Sequence, residues 1–259
     1  MAHFVRGNTK EISDSLSKPA TYKVLYWPIA ANGATTRDLL ELGGVQWEDL
    51  SPSFTGWQEE KLETPFHVLP VLYIKTEDGK DLVLSEAMVV EQFLAKKFNL
   101  LGDNDYEEQL IKAFHSSSAH LQSNFAQSVT WCPPEAKEGN LDKFLTGTLK
   151  TFIDTHEKHL ADNGNNGHYV GNRLSLADIR TANLIEHISV QPQGPQVLEI
   201  INKSAALTKL RETVAKDEKV AKWRSSPGYI KLNESSKAFF ADPMKFIGPP
   251  SEASEEKSA

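Results

Sequence analysis

The feature that most constrains this fold is a change of pattern near Gly102, Asp103 and Asn104. Before that point strand-like and helix-like segments alternate; after it nearly every segment carries its apolar residues at helical spacing. A chain written this way predicts a small α/β unit followed by an all-helical one.

In the first part, Tyr22 to Trp27 sets Tyr22, Val24 and Tyr26 on one side and Leu25 and Trp27 on the other, and Pro28 closes it as a strand. Asn32 and Gly33 turn the chain into a helix that carries Leu39, Leu40 and Leu42 and stops at Gly43 and Gly44. Val45 to Leu50 reads as a second strand. Val71 to Ile74 and Leu82 to Leu84 flank the hairpin pair Asp78-Gly79. Ser85 and Glu86 then open a helix with the stripe Val89, Val90, Phe93 and Leu94, running to Phe98. From Asp105 the spacing predicts helices over 105–130, 139–162, 176–190, 195–215, 217–224 and 227–240. The third is the most legible, because Ser175-Leu176-Ala177-Asp178 has the form of a capping box.

The expected organisation is an N-terminal extension over 1–20, an α/β domain over 21–101, a helical domain over 105–240 and a flexible acidic tail over 241–259. The 259 residues carry a formal charge of -7, which offers no broad attraction to phosphate backbones or anionic lipid, so neither nucleic acid nor membrane is an expected partner. No stretch approaches the ~20 apolar residues of a membrane span. The one cysteine, Cys132, excludes an internal disulfide and a thiol metal cluster. A cytoplasmic location is the expectation.

Four motifs add a family likeness: Tyr22-Lys23-Val24-Leu25-Tyr26-Trp27-Pro28; Gly56-Trp57 with Lys61 ahead of His67-Val68-Leu69-Pro70-Val71-Leu72; Phe93-Leu94-Ala95-Lys96-Lys97-Phe98; and Tyr169-Val170-Gly171-Asn172-Arg173-Leu174-Ser175-Leu176-Ala177-Asp178. In this order and spacing the chain resembles the cytosolic glutathione transferases, in particular their tyrosine-dependent, sigma-like branch, over about residues 21 to 235. The resemblance implies a thioredoxin-like α/β N-terminal domain joined to an all-α C-terminal domain, a homodimer, and glutathione as co-substrate without a metal.

The resemblance also implies roles. Tyr26 would be catalytic: a thiol with a pKa near 8.5 needs roughly 2.7 kcal/mol of preferential thiolate stabilisation to drop by about 2 units, and a neutral phenol can supply this as a donor. Leu69 would pair with glutathione through its main chain beside a cis peptide to Pro70. Trp57 and Lys61 would hold the glycine carboxylate, and Glu86 and Ala87 the γ-glutamyl end. Trp27 and Ile29 would line the pocket for a small hydrophobic electrophile. Three positions depart from the family pattern: Asn32 stands where an arginine is usual, Ala87 where a serine is usual, and Lys112 where the related branch carries an aspartate. These departures keep open a noncatalytic protein of the same fold that binds a ligand or partner; a glutathione-dependent isomerase is the other alternative. His156-Glu157-Lys158-His159 lacks a third metal ligand and reads as a solvated helix face, and His115 and His120 do not share a face.

Overall fold

The computed structural model describes Phe4 and residues 7–247. Residues 248–259, which hold most of the expected acidic tail, lie outside the described residues.

The first element is a helix, α1 (Thr9–Leu16). It lies within the segment read as an extension, but Ser15 is buried and Ile12 and Leu16 pack against the core. Its anchor is the hairpin turn: the Ser15 hydroxyl donates to Asp78 at 2.8 Å, Lys18 pairs with Asp78 at 3.0 Å, and Glu11 pairs with Lys80. These partners lie some sixty residues away in sequence, which is why a local reading misses the docking.

Four strands form a mixed sheet in the order β2-β1-β3-β4. β1 (Ala20–Leu25) runs parallel to β2 (Trp47–Leu50), with Tyr22 opposite Trp47, and antiparallel to β3 (Val71–Thr76), with Tyr22 opposite Ile74. β4 (Asp81–Ser85) closes the hairpin on β3. The parallel pair requires a crossover, and α2 (Ala34–Gly43) supplies it, capped by Gly44 in the left-handed region at φ 61. Tyr22 and Val24 of β1 bury the same face as Leu72 and Ile74, against Leu39 and Leu40 of α2 and Val90 and Leu94 of α4 (Ala87–Lys97). The short α3 (Trp57–Glu60) sits in the loop before β3.

The remainder is helical: α5 (Asp105–Phe125), α6 (Lys137–Lys143), α7 (Lys150–Asp162), α8 (Leu176–Ser189), α9 (Gly194–Ile201), α10 (Ala205–Lys216), α11 (Glu218–Arg224), α12 (Pro227–Ala241) and α13 (Met244–Ile247). Wider π turns at Ala126–Thr130 and Phe144–Leu149 continue α5 and lead from α6 into α7. The single helix expected over 195–215 is two, because Ser204 breaks it and caps α10 by accepting from the Leu207 N–H at 3.2 Å. Ser175 and Asp178 do form a capping box at α8. The expectation of a solvated face at His156 is corrected: its side chain is buried, with Nδ1 against the Tyr169 hydroxyl and Nε2 against Ser117. Burial, and next the charge of His159, lowers its pKa to about 3.

A buried polar seam joins the two halves. Asp38 of α2 accepts from Asn183 of α8 at 3.0 Å and from the Trp223 indole of α11 at 2.9 Å, and Arg224 donates to Asn183 at 3.0 Å. Among the described residues no helix is long and apolar enough to cross a membrane.

Candidate functional site

Tyr26 stands one residue beyond the end of β1, still tied to β2 through its N–H to the Leu50 carbonyl at 3.0 Å. Its ring is only 5% exposed, yet it lines a cavity of about 610 Å³ between the two halves. The hydroxyl oxygen accepts the Asn32 backbone N–H at 3.1 Å. That bond uses a lone pair and leaves the phenolic proton free to be donated into the cavity. Burial pushes the Tyr26 pKa up to about 12, against the opposing pull of the Asn32 N–H and of the Arg37 and Arg180 charges. Tyr26 is therefore a neutral donor across the physiological range.

Contacts behind the ring fix that donor. Arg37 of α2 is 1% exposed, and its guanidinium donates to the carbonyls of Ile29 at 2.8 Å and Trp27 at 3.0 Å while its other N–H groups grip the Asp49 carboxylate at 3.0–3.1 Å. The guanidinium carbon also lies 5.6 Å from the centre of the Tyr26 ring, within cation–π range. One buried cation thus clamps the loop that carries Tyr26. On the far side of that loop, the Ala30 N–H donates to Ser236 of α12 at 2.8 Å.

Of the residues expected at the site, Tyr26, Trp27, Ile29, Glu86 and Ala87 line the cavity. Trp57 does not, but its ring meets Trp27 edge-on at 5.3 Å. Lys61 follows α3 and pairs with the Gln58 amide. Leu69 packs against the cluster formed by Tyr26 and Ile29, and the Leu69–Pro70 bond is cis. Glu86 caps the N-terminus of α4 at φ 74, a conformation that costs a non-glycine residue energy and that marks functional turns. Ala87 and Met88 of the first turn of α4 also line the cavity, and the first N–H groups of a helix have no partner within it.

The three departures each have a structural setting. Asn32 contributes its backbone N–H to Tyr26 and its side-chain oxygen to Gln122 of α5 at 2.7 Å. Ala87 begins α4 at the cavity wall. Lys112 pairs with Glu108 along α5 and does not line the cavity.

The rest of the aromatic lining comes from parts of the chain to which no role was given from sequence, and it packs in one cluster with Tyr26 and Ile29. Phe54 stacks on Trp27 at 4.8 Å and on Phe239 of α12 at 5.6 Å, and Phe246 of α13 leans on both Phe54 and Phe239. Phe240 and Trp131 complete an aromatic surface. Arg37 and Arg180 were also missed, although each is a charge set within a helix that is otherwise buried, which is a readable signal. Among the described residues no group of three or more His, Cys, Asp or Glu side chains is placed to hold a metal ion.

Comparisons with known proteins bear on the family and the fold. A family model for the C-terminal domain of glutathione S-transferase matches residues 120–227. A glutathione S-transferase of Dirofilaria immitis is 30% identical over 173 residues, 66% of this chain and 77% of that protein. The class-mu 28 kDa glutathione S-transferase isozyme of Schistosoma japonicum is 27% identical over 167 residues, 64% of this chain and 80% of its own length. The solved structure of the sigma class enzyme of Fasciola hepatica superposes with a TM-score of 0.70 at 23% identity, covering 81% of this chain and 99% of that one, a likeness of fold.

Proposed function

Because the chain belongs to the glutathione S-transferase family, we propose that it joins the thiolate of glutathione to small hydrophobic electrophiles, with Tyr26 donating its hydroxyl hydrogen bond to the sulfur. The observation that carries this reading is the Tyr26 hydroxyl itself: oriented by the Asn32 N–H, kept protonated by burial, and set in the wall of a cavity large enough for a drug-sized molecule.

In this reading the thiol loses its proton to solvent, and the resulting thiolate accepts the Tyr26 hydrogen bond. In a low-dielectric wall such a bond to a full charge is stronger than in water. The sulfur lone pair then forms the carbon–sulfur bond as the leaving group departs with its bonding pair. Trp27, Ile29 and Phe239 supply the apolar surface for the acceptor.

Glutathione itself would lie along the loop before β3. Leu69 offers its main chain to the cysteinyl unit, in the manner of an added strand. Trp57 and Lys61 face the glycine carboxylate, and the open N–H groups at Glu86 and Ala87 receive the γ-glutamyl carboxylate. The same reading takes the two halves as separate domains meeting near residues 101–105, and the assembly as a homodimer.

The test is retention on immobilised glutathione together with turnover of a chlorodinitrobenzene acceptor. Replacing Tyr26 with Phe removes one donor to a charged acceptor, and a loss of roughly 10- to 150-fold in rate is expected, corresponding to about 1.5 to 3 kcal/mol. Unchanged turnover in that variant overturns the role of Tyr26. Absence of both retention and turnover in the native protein favours the noncatalytic alternative.

A further inference from the structure

The cavity wall also contains a charge that thiol chemistry does not require. Arg180 of α8 lines the cavity but is only 3% exposed, and its Nε and Nη1 groups are buried without a hydrogen-bond partner. Its companion is Glu91 of α4, whose Oε1 lies 3.6 Å from Nη1, outside hydrogen-bond range and itself unpaired. The other carboxylate oxygen of Glu91 is held by His115 at 2.6 Å. Glu91 therefore offsets the charge of the guanidinium without occupying its donors. Buried donors in folded proteins are nearly always paired, and a guanidinium presents five N–H groups in a fork matched to a carboxylate.

The surroundings point the same way. Seven residues along α8, on the same face, His187 also lines the cavity. The Gln191 oxygen accepts from Thr130 at 2.7 Å, so its amide nitrogen donates to His187 Nε2 at 3.0 Å, and the neutral ring carries its proton on the unpaired Nδ1. Burial, and next the charge of Arg180, lowers the His187 pKa to about 3, so this ring remains neutral. Among the described residues no carboxylate other than the exposed Glu86 lines the cavity to compete for Arg180. Beside this polar strip lies the aromatic surface of Phe239 and Phe240, the Phe240 ring edge-on to His187 at 5.2 Å. The lining thus offers a cation to an anion and, next to it, aromatic rings to an apolar body.

We infer that the acceptor substrate is an amphipathic organic carboxylate, its anionic group paired with Arg180 and its apolar part laid on Phe239 and Phe240. The inference rests on the proposed thiol addition for the name of acceptor, but the recognition it describes is a matter of binding alone.

Calorimetric titration with 4-phenylbutanoate and with its uncharged amide, both in saturating S-methylglutathione, tests it. The native protein is expected to bind the carboxylate at least tenfold more tightly than the amide. Arg180→Met is expected to bring the carboxylate to the level of the amide. Since that variant leaves Glu91 without its cation, the double variant Arg180→Met, Glu91→Gln removes both charges and provides the same comparison if the single variant fails to fold. Equal or undetectable binding of the two probes by the native protein overturns the inference, as does a preference that survives loss of Arg180. A preference seen only without S-methylglutathione overturns it too, because Arg180 then serves a carboxylate of glutathione. A native protein that prefers the carboxylate yet performs no thiol addition leaves this inference standing and removes the proposed reaction.

Discussion

Gly33 offers a sharp test of how the Tyr26 phenol, the proposed donor, is held. A Cβ built there falls 2.4 Å from Tyr26 Cδ1, 2.8 Å from Tyr26 Cγ and 2.6 Å from Arg37 Nη1. Carbon atoms in contact prefer about 3.5 to 4.0 Å, so Gly33→Ala must move the ring or the helix start by about 1 Å. The backbone of Gly33 is ordinary, at φ -85, so the cost is one of space and not of conformation. Overpacking of this kind typically costs about 1–3 kcal/mol in stability. A misplacement of about 1 Å at a reacting centre costs on the order of 100-fold in rate, which is the larger and more specific effect. The assay is kcat/KM for glutathione with a chlorodinitrobenzene acceptor, beside circular dichroism and a urea titration to show that the variant is folded. Gly139→Ala serves as control, because nothing lies within 4 Å of its added Cβ. A folded Gly33→Ala protein with kcat/KM within twofold of the native value would refute the idea that the close seat of Tyr26 sets the rate.

Two further outcomes are expected. Lys61→Ala should raise KM for glutathione with kcat nearly constant and reduce retention on glutathione resin, since a carboxylate clamp acts equally on ground and transition states; equal retention of both proteins places the clamp elsewhere. Acid should destabilise the fold between about pH 6.5 and 3: His156 and His187 are held neutral, with pKa values of about 3, so below 6.5 the unfolded chain binds protons that the folded one refuses. Each contributes about 1.4 kcal/mol per pH unit in that window, present above it and lost as pH falls, while the raised pKa of buried Asp38 acts in the opposite sense. A urea midpoint that is the same at pH 7 and pH 5, or a drop that His156→Gln does not reduce, would contradict this.

The parts of the fold legible in the sequence were those specified locally. The alternation of Tyr22 and Val24, the glycine stop after Leu42, the Asp78-Gly79 turn and the Ser175 to Asp178 box each declare themselves within a few residues. What stayed hidden depends on partners far along the chain. Arg37 acquires its meaning from Asp49 and from the carbonyls of Trp27 and Ile29, and α1 from Asp78. The break between α9 and α10 was concealed because Asn202-Lys203-Ser204 contains neither glycine nor proline. Tyr26 could be singled out by family likeness, whereas its orienting bond comes from a backbone N–H and leaves no mark on residue identity. Phe239 and Phe240 looked like ordinary residues of a terminal helix, since nothing local indicates that they line the cavity or that Phe239 stacks on Phe54.

The aromatic stack from Trp27 through Phe54 to Phe239 and Phe246 assigns the work of the cavity to opposite ends of the polypeptide. The phenol and its arginine clamp belong to the first forty residues, while Phe239 and Phe240, and the Ser236 hydroxyl that steadies Ala30, arrive only with α12. During synthesis the strands beside Tyr26 therefore precede the helix that completes its surroundings, and a chain that stops short of Pro227 lacks both the Ser236 tether and the rings that pack with Tyr26.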